Sequence, residues 1–332
     1  MASNLNKSIT FPTGVGSFTD PAACLIWDKE KYNSSSWFYT GHFNANGEVL
    51  DFLWHFSVSP NPKGLTAHNI MTITNETTGV FLVDDCFCPL AQSEKNDGYS
   101  YETSKGWVHG TLDKMELEGT LKDGQGKIEM KITGQGPVIF NGGTGEFPML
   151  NMHVYQYSMP SLLGQGKITL DGHVYEVEGP VWFDRQWQQM SEEPSGKTGT
   201  PLTSLQWGWM SINLESGEHL SIWAAPDGSD QRGWATIAHT DGSQSVVASD
   251  PTFSPSAMWK SSYTGVSYPT HFNVAIPAMD STLVVDSCPK NQERASVIPE
   301  LSIYEGATRV TGTWHGAPTN GYGVVELVGK WS

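Results

Sequence analysis

The amino-acid sequence predicts a nearly all-β protein. Thirty-five glycines and nineteen prolines divide the 332 residues into short segments. Segments such as KIEMKI (127–132) and RVTGTWHG (309–316) alternate in polarity, as strands with one buried face do. No segment keeps the periodicity of an amphipathic helix over three turns. Strands joined by glycine- and proline-containing turns therefore account for most of the chain.

An internal similarity predicts that the strands form two related domains. WFYTGHFNANGEVLDFLW begins at Trp37 and WGWMSINLESGEHLSIWA begins at Trp207, and Gly-Glu-x-Leu follows ten residues later in both. Each copy is typical of a strand, a turn at the glycine and a returning strand, although unrelated hairpins can share this turn chemistry. We place the domains at 1–162 and 163–332, which also suits a chain of this length.

Composition indicates a hydrophobic small molecule as the partner. The net charge of −16 disfavours nucleic acids and anionic membrane surfaces. Thirteen Trp, thirteen Phe and eleven Tyr supply aromatic surface for a ligand, although most of these rings also suit a β-core. The N-terminal segment lacks a signal-peptide pattern and no run of eighteen apolar residues occurs, so we expect a cytoplasmic protein without membrane insertion. The oligomeric state is not predicted.

The common motifs for metals, nucleotides and a nucleophilic serine are absent from the sequence. The four cysteines lack the spacing of a disulfide framework or a zinc site, and Asp84-Asp85 beside Cys86 and Cys88 has no further ligand at suitable spacing. GxSxG, GxxxxGK[ST] and HExxH do not occur. These absences disfavour a metal site and a nucleotide site.

The stretch WFDR (182–185) supplies the first candidate catalytic residue. Residues two apart on a strand share a face, so Trp182 and Asp184 point to one side while Phe183 and Arg185 point to the other. A carboxyl beside an indole in a low-dielectric pocket has a raised pKa, which would let Asp184 donate a proton near neutral pH. A solvated aspartate, or one paired with some other basic residue, is the alternative.

The stretch HVYQY (153–157) supplies three more candidates. His153, Tyr155 and Tyr157 share one face of the predicted strand, and in a cavity they would offer hydrogen-bond donors and acid or base groups. A solvated aromatic strand is the alternative.

Paired aromatic residues are candidate substrate-binding walls. Trp37 shares a face with Tyr39, and Trp207 shares a face with Trp209. Core packing is the alternative fate for both pairs.

Three longer stretches carry a family resemblance: WFYTGHFNANGEVLDF near the start, GQGKITLDGHVYEVEGPVWFDRQWQ in the middle, and IYEGATRVTGTWHGAPTNGYGVVELVG at the end. With them the chain resembles a lipocalin-like two-domain superfamily. This superfamily holds AttH-type proteins, carotenoid 1,2-hydratases, kievitone hydratase and fungal Diels-Alderases. The run WFDRQWQ is nearer the AttH and hydratase form than the histidine-rich form of some relatives.

The resemblance implies two lipocalin-like β-barrel or sandwich domains packed against each other, with a hydrophobic ligand pocket in the first barrel or between the two. It implies chemistry without a cofactor. It also implies that Trp182-x-Asp184 carries the proton donor and that His153-x-Tyr155 assists it.

From these observations we predict a cofactor-independent cyclase or isomerase that acts on a hydrophobic polyene, terpenoid or polyketide-derived substrate. Asp184 would act as the acid, Tyr155 and Tyr157 would stabilise negative charge, and the indoles of Trp37, Trp182 and Trp207 would face a developing cation. A hydratase that adds water to an alkene and a carrier without chemistry are the alternatives.

Overall fold

The computed structural model of the chain describes residues 9–12, 19–61, 64–92, 98–149, 152–189, 206–227 and 230–331. It confirms the predicted all-β class. Besides strands, these ranges contain one short α-helix, α1 (Pro21–Cys24), and 3₁₀ turns at Lys122–Gly124, Asn141–Gly143, Pro277–Met279 and Pro299–Leu301. None of the described helices has the length and apolar character needed to cross a bilayer.

The strands of the first half are β1 (Ile9–Thr10), β2 (Ser34–Ala45), β3 (Glu48–Asn61), β4 (Gly64–Asn75), β5 (Val80–Pro89), β6 (Ala91–Gln92), β7 (Tyr99–Thr103), β8 (Gly106–Thr111), β9 (Lys114–Thr120), β10 (Gly126–Thr133), β11 (Gly136–Pro137), β12 (Ile139–Phe140), β13 (Glu146–Met149), β14 (Met152–Leu170) and β15 (His173–Gln188). Those of the second half are β16 (Gln206–Leu214), β17 (His219–Asp227), β18 (Asp230–Ala238), β19 (Gln244–Ala248), β20 (Asp250–Phe253), β21 (Met258–Lys260), β22 (Ser267–Pro269), β23 (His271–Ile276), β24 (Ser281–Ser287), β25 (Glu293–Arg294), β26 (Ile303–Trp314) and β27 (Ala317–Gly329).

Most of these strands form two barrel-like antiparallel sheets with the same order of strands, while β1 with β11 and β21 with β22 form separate two-stranded sheets. The first runs β5-β4-β3-β2-β15-β14-β10-β9-β8-β7-β6, with β12 and β13 also paired to β14. The second runs β19-β18-β17-β16-β27-β26-β24-β23-β20, with β25 paired to β26. In both, four consecutive strands form a meander whose first strand pairs with the last strand of the sheet. This shared order supports the internal repeat that the sequence indicates.

Sheet membership differs from the division that we predicted near residue 162. That residue lies within β14, and both β14 and β15 belong to the first sheet. The chain passes to the second sheet between Gln188 and Gln206. We therefore propose that the two domains are divided within residues 189–205.

Three apolar clusters hold this architecture together. The first fills the first barrel and includes Trp37, Tyr39 and Trp54, and the second fills the second barrel and includes Ile212 and Ile222. The third, here called the interdomain cluster, combines side chains from the outer faces of both sheets: Phe38, Leu53, Ile139, Phe147, Met149, Val154, Trp182, Trp209, Trp223, Ala225, Ala238 and Val324. The packing of the two barrels is thus aromatic and apolar.

The turns of the two similar hairpins differ by one residue. Asn44 pairs with Val49 around residues 45–48, whereas Asn213 pairs with His219 around residues 214–218. The first turn is centred on Asn46 and Gly47, both with positive φ as a tight two-residue hairpin turn requires. Because side chains alternate with a period of two, one additional residue reverses the face of one strand relative to its partner.

The reversal places equivalent aromatic residues on opposite sides of their barrels. Trp37 and Tyr39 on β2 point into the first barrel. Trp207 and Trp209, at the matching positions of the sequence pattern on β16, pack in the interdomain cluster instead. The C-terminal barrel therefore presents indoles to the N-terminal one.

Candidate active site

Strand β15 separates its side chains as the sequence predicts. Phe183 and Trp187 lie in the core of the first barrel, and the guanidinium of Arg185 lies on the same side, 4.2 Å from the ring centroid of Trp37. Trp182 points outward into the interdomain cluster. Asp184, two residues from Trp182, shares this outer face.

Asp184 is buried and its carboxyl is held by hydrogen bonds. Only 5% of the residue is exposed, and Trp182 Nε1 donates to Oδ1 at 2.9 Å. Burial raises the pKa of Asp184 to about 7, against the opposing effect of hydrogen bonds from Ser158, Trp182 and Gln156. Among the described residues, no basic side chain forms an ion pair with this carboxyl. The Asp184 carboxyl can therefore donate a proton near neutral pH.

Aromatic rings from both sheets surround Asp184. Phe38 is its cross-strand neighbour on β2, and the Phe38 ring lies 5.6 Å from that of Trp209, which comes from the second sheet. Trp209 also meets Trp182 edge-on, with 6.2 Å between ring centroids. Trp223, 6.4 Å from Trp209, extends the wall. The low dielectric that disfavours the ionised carboxyl thus depends on packing between the domains.

A second carboxyl of similar character lies on β27. Glu326 accepts a hydrogen bond from Trp207 Nε1 at 2.9 Å and is the cross-strand neighbour of Trp209. Burial and the negative charge of Glu305 raise the pKa of Glu326 to about 8. Burial alone would also raise the pKa of Glu305, but the charge of Arg294 and the contact with His55 lower it overall. Glu326 is therefore the carboxyl of this pair that keeps a proton.

His55 completes a row across the first sheet. It is the cross-strand neighbour of Phe38, which in turn faces Asp184, so all three lie on the same outer face. His55 Nδ1 lies 3.5 Å from Arg294 NH1 and 3.7 Å from Glu305 Oε1. An acid, an aromatic ring and an imidazole thus stand side by side, facing Trp209 and the carboxyl pair of the other domain.

Within the part of the chain that the structure describes, two groups of side chains have the composition of a metal site, which the sequence did not predict. One combines His42, Asp51 and Glu76, and Arg309 Nε lies 2.7 Å from Glu76 Oε2. Trp182, His42 and Asp51 also line a narrow cleft between the domains with room for about one water molecule. The other group combines His55, Glu305 and Glu326.

The predicted site residues fall into two separate sets. Trp182, Trp207 and Trp209 lie with Asp184 between the domains. The others lie elsewhere: Trp37, Tyr39, Tyr155, Tyr157 and His153.

Four of the others belong to the first barrel: Trp37, Tyr39 and Tyr157 are buried in its core, and Tyr155 is partly buried against that core. Tyr157 donates a hydrogen bond to the backbone oxygen of Pro21 at 3.0 Å, and Tyr39 shares a hydrogen bond with Tyr99. Tyr155 stacks on Trp187. Alternation along β14 puts Tyr155 and Tyr157 on the face opposite Gln156 and Ser158, so these phenols do not face Asp184. For this set the structure favours the core-packing alternative.

His153 lies at the surface. Its side chain is 73% exposed and its Nδ1 lies 2.7 Å from Glu146 Oε1. The last pair between β14 and β15 joins Val154 to Gln188, so His153 is beyond the end of the strand that carries Asp184. The assisting role that the resemblance implied for His153 therefore does not fit its position.

Several residues of the site escaped prediction. Gln156 and Ser158 lie on the other face of the HVYQY strand, and the same alternation rule could have assigned them there. Their approach to Asp184 depends on the register of β14 against β15, which no local pattern encodes. Glu305, Glu326 and His55 are brought together by contacts between sheets, and the sequence carries no spacing signal for them.

The raised pKa of Asp184 makes a prediction about stability. Because the folded state holds this proton more tightly than the unfolded chain, its contribution is complete below about pH 4 and is lost as pH rises through about 7. Asp184→Asn cannot ionise. We expect urea denaturation from about pH 4 to about pH 8 to show the variant gaining stability relative to wild type by on the order of 4 kcal/mol. A difference that does not change with pH would contradict a buried, protonated Asp184.

Comparison with known proteins identifies the family. The AttH-like family model matches residues 26–330, so the chain belongs to the AttH-like family. This confirms the resemblance read from the three sequence stretches.

Two curated relatives are named as enzymes. The chain is 29% identical over 203 residues to the dehydratase asqC of Emericella nidulans, covering 57% of this chain and 54% of that protein. It is 26% identical over 198 residues to kievitone hydratase of Fusarium solani subsp. phaseoli, covering 58% and 53%. The chain thus matches about half the length of each relative.

Two solved structures share the fold. An AttH from Nitrosomonas europaea has a TM-score of 0.77 at 19% identity, covering 96% of this chain and 98% of that one. A kievitone hydratase from Nectria haematococca has a TM-score of 0.75 at 19% identity, covering 97% and 98%. The barrel-like halves described above are thus the lipocalin-like fold of this family.

Proposed function

We propose that the protein is a hydro-lyase that adds water to an alkene, or removes water from the corresponding alcohol, in a hydrophobic substrate bound between the two domains. The observation that carries this proposal is Asp184, a buried carboxyl with a pKa of about 7 among indole rings from both sheets. The names of the two relatives, a dehydratase and a hydratase, support the same reaction class.

In this mechanism Asp184 is the proton donor. Its carboxyl O–H breaks, a new C–H bond forms at one alkene carbon, and positive charge develops on the other carbon. The faces of Trp182 and Trp209 stabilise that charge, since indole rings attract cations most strongly where water is excluded. Water then adds to the cationic carbon and releases one proton to a base or to solvent, the Asp184 carboxylate regains a proton, and dehydration follows the same steps in reverse. A positioned acid of this kind typically accelerates a reaction by about 10²- to 10⁴-fold.

We place access to this site on the side of Trp207 and Trp234. Both keep part of their surface exposed while packing against the interdomain cluster. The indole N–H groups of Trp223 and Trp234 have no hydrogen-bond partner among the described residues, so a polar group of the substrate would find donors there. We infer a substrate that is mostly apolar and carries at least one oxygen.

Cyclisation or isomerisation of a polyene, terpenoid or polyketide-derived substrate is the second candidate. It uses the same protonation by Asp184, and the aromatic lining favours it because rings that exclude water leave the cation to be captured within the substrate. A carrier would bind the same kind of molecule without changing it, and it has no need of a carboxyl held ready to release a proton.

The mass of the product distinguishes the hydro-lyase, the cyclase or isomerase, and the carrier. We propose incubating the full-length protein with hydrophobic alkenes, including kievitone, and with matching tertiary alcohols, followed by liquid chromatography and mass spectrometry. We expect a product that is heavier or lighter by one water. A new product of unchanged mass would favour the cyclase or isomerase, and tight binding without any product would favour the carrier.

A further inference from the structure

The spacing of His55, Glu305 and Glu326 suits the binding of one small polar molecule. An imidazole nitrogen and one oxygen from each carboxyl all lie within 4.8 Å of one another. The edge between His55 Nδ1 and Glu305 Oε1 is 3.7 Å. A water oxygen held above the plane of such a triangle can lie about 2.8 Å from each corner, which is a normal hydrogen-bond distance. One water molecule can therefore contact all three side chains at once.

The buried Oε1 atom of Glu305 is a second indication that a small molecule binds in the cluster. Glu305 is 0% exposed, and its Oε1 has no hydrogen-bond partner among the described residues although the His55 imidazole lies 3.7 Å away. A buried carboxylate oxygen without a hydrogen-bond donor destabilises the folded state. Buried waters usually satisfy such groups. Besides the hydrogen bond between Glu305 and the protonated Glu326 carboxyl, Glu305 Oε1 can thus accept a further hydrogen bond from a water molecule in this space.

The charges of the cluster favour water over a metal ion. Arg294 NH1 lies 3.1 Å from Glu305 Oε2 and already compensates that carboxylate. Glu326 keeps a proton because burial and Glu305 raise its pKa. A divalent cation would have to displace this proton and lie beside the guanidinium. A water molecule can contact the three side chains without displacing the proton of Glu326 and without placing a second cation beside Arg294.

The cluster stands on the opposite side of Phe38 from Asp184. His55, Phe38 and Asp184 are cross-strand neighbours on β3, β2 and β15. Neighbouring strands are about 4.8 Å apart, so the Cα atoms of His55 and Asp184 are roughly 10 Å apart, with both side chains on one face. The Phe38 ring lies 5.6 Å from both the His55 ring and the Trp209 ring, so an alkene that reached the Phe38 ring would have the acid at one end and the cluster at the other.

We propose that His55, Glu305 and Glu326 form the binding site of the water that reacts, and that the His55 imidazole accepts its proton. This inference rests on the proposed hydro-lyase function. In hydration the water oxygen bonds to the cationic carbon while its proton passes to His55, and the proton lost by Asp184 is restored from solvent, which reaches the 20% exposed His55 side chain. In dehydration the imidazolium protonates the leaving hydroxyl and the Asp184 carboxylate removes the C–H proton.

A structural experiment tests the water site without a substrate. Crystals of the full-length protein, grown with and without manganese chloride, are examined at high resolution with anomalous scattering. We expect an ordered oxygen within about 3.2 Å of Glu305 Oε1 and no manganese signal. An empty triangle, or manganese bound between the carboxyls, would overturn the assignment.

A kinetic experiment tests the role of the site with the alkene that the wild-type protein hydrates. In deuterated water, reversible protonation by Asp184 places deuterium on the alkene whether or not water adds. We expect His55→Gln to slow water addition by about 10²-fold while deuterium incorporation stays within a few-fold of wild type, and Glu305→Gln to act in the same direction. Asp184→Asn should lower both rates by about 10²- to 10⁴-fold.

The two readouts distinguish the failure of each proposal. Absence of deuterium incorporation and of hydration in wild type would remove the hydro-lyase function itself. Equal losses of both in His55→Gln, or hydration unchanged in that variant, would remove the water site alone. The matched control is His109→Gln on β8, whose side chain is 45% exposed and lies outside the cluster. Circular dichroism confirms that each variant is folded.

Discussion

Replacement of Asp184 by asparagine is expected to lower turnover by about 10²- to 10⁴-fold while substrate binding persists. The amide has nearly the shape of the protonated carboxyl and still accepts the hydrogen bond from Trp182 Nε1. The variant should therefore fold and bind as wild type does, and lose only the transferable proton. Initial rates at saturating substrate and a binding titration measure the two effects separately.

The matched control is Asp286→Asn. Asp286 has a 53% exposed side chain and contacts His271 on the second barrel, outside the candidate site. We expect this substitution to leave turnover unchanged. If Asp184→Asn loses less than about 10²-fold in turnover, Asp184 is not the proton donor, whatever reaction the protein catalyses.

Replacement of Arg185 by methionine is expected to lower the free energy of unfolding by several kcal/mol. The guanidinium is 1% exposed and donates hydrogen bonds to the backbone oxygens of Cys24, Ser36 and Gln186 at 2.7–3.1 Å. Methionine has similar bulk but no donor, so three carbonyl groups inside the first barrel would lose their partner, each at a cost of about 1–3 kcal/mol. Stacking of the cation on Trp37 is lost as well.

Urea denaturation of the wild-type and variant proteins measures this effect. The control is Lys167→Met, because the Lys167 side chain is 49% exposed and pairs with a 73% exposed Glu176. An exposed pair contributes at most about 1 kcal/mol. An Arg185→Met variant as stable as wild type would show that the buried carbonyl groups find other partners.

Much of the fold could be predicted from the sequence because strands and turns leave local patterns. Alternating polarity indicated the strands, and the similarity between the stretches that begin at Trp37 and Trp207 indicated two related halves. The domain boundary was harder to place. β14 and β15 are long strands with no composition change at residue 162, and their membership of the first sheet depends on pairing with β2 and β10, which are distant in sequence.

The site was only partly predictable, because alternation shows which residues share a face but not where that face points. It placed Trp182 with Asp184 and away from Arg185, and the structure has the same arrangement. The same rule grouped Tyr155 with Tyr157 but could not show that their face is the interior of a barrel. Glu326 comes to the site through packing between sheets, which a one-dimensional pattern does not record.

The longer turn between β16 and β17 suggests how a site shared by two domains could arise. If both barrels descend from one ancestral barrel, a one-residue shift in the pairing of β16 with β17, with the spacing between Trp207 and Gly217 unchanged, would move Trp207 and Trp209 from the interior of one copy to its outside. Such a shift would create an apolar surface for the sister copy and, with it, a sheltered compartment in which chemistry could evolve.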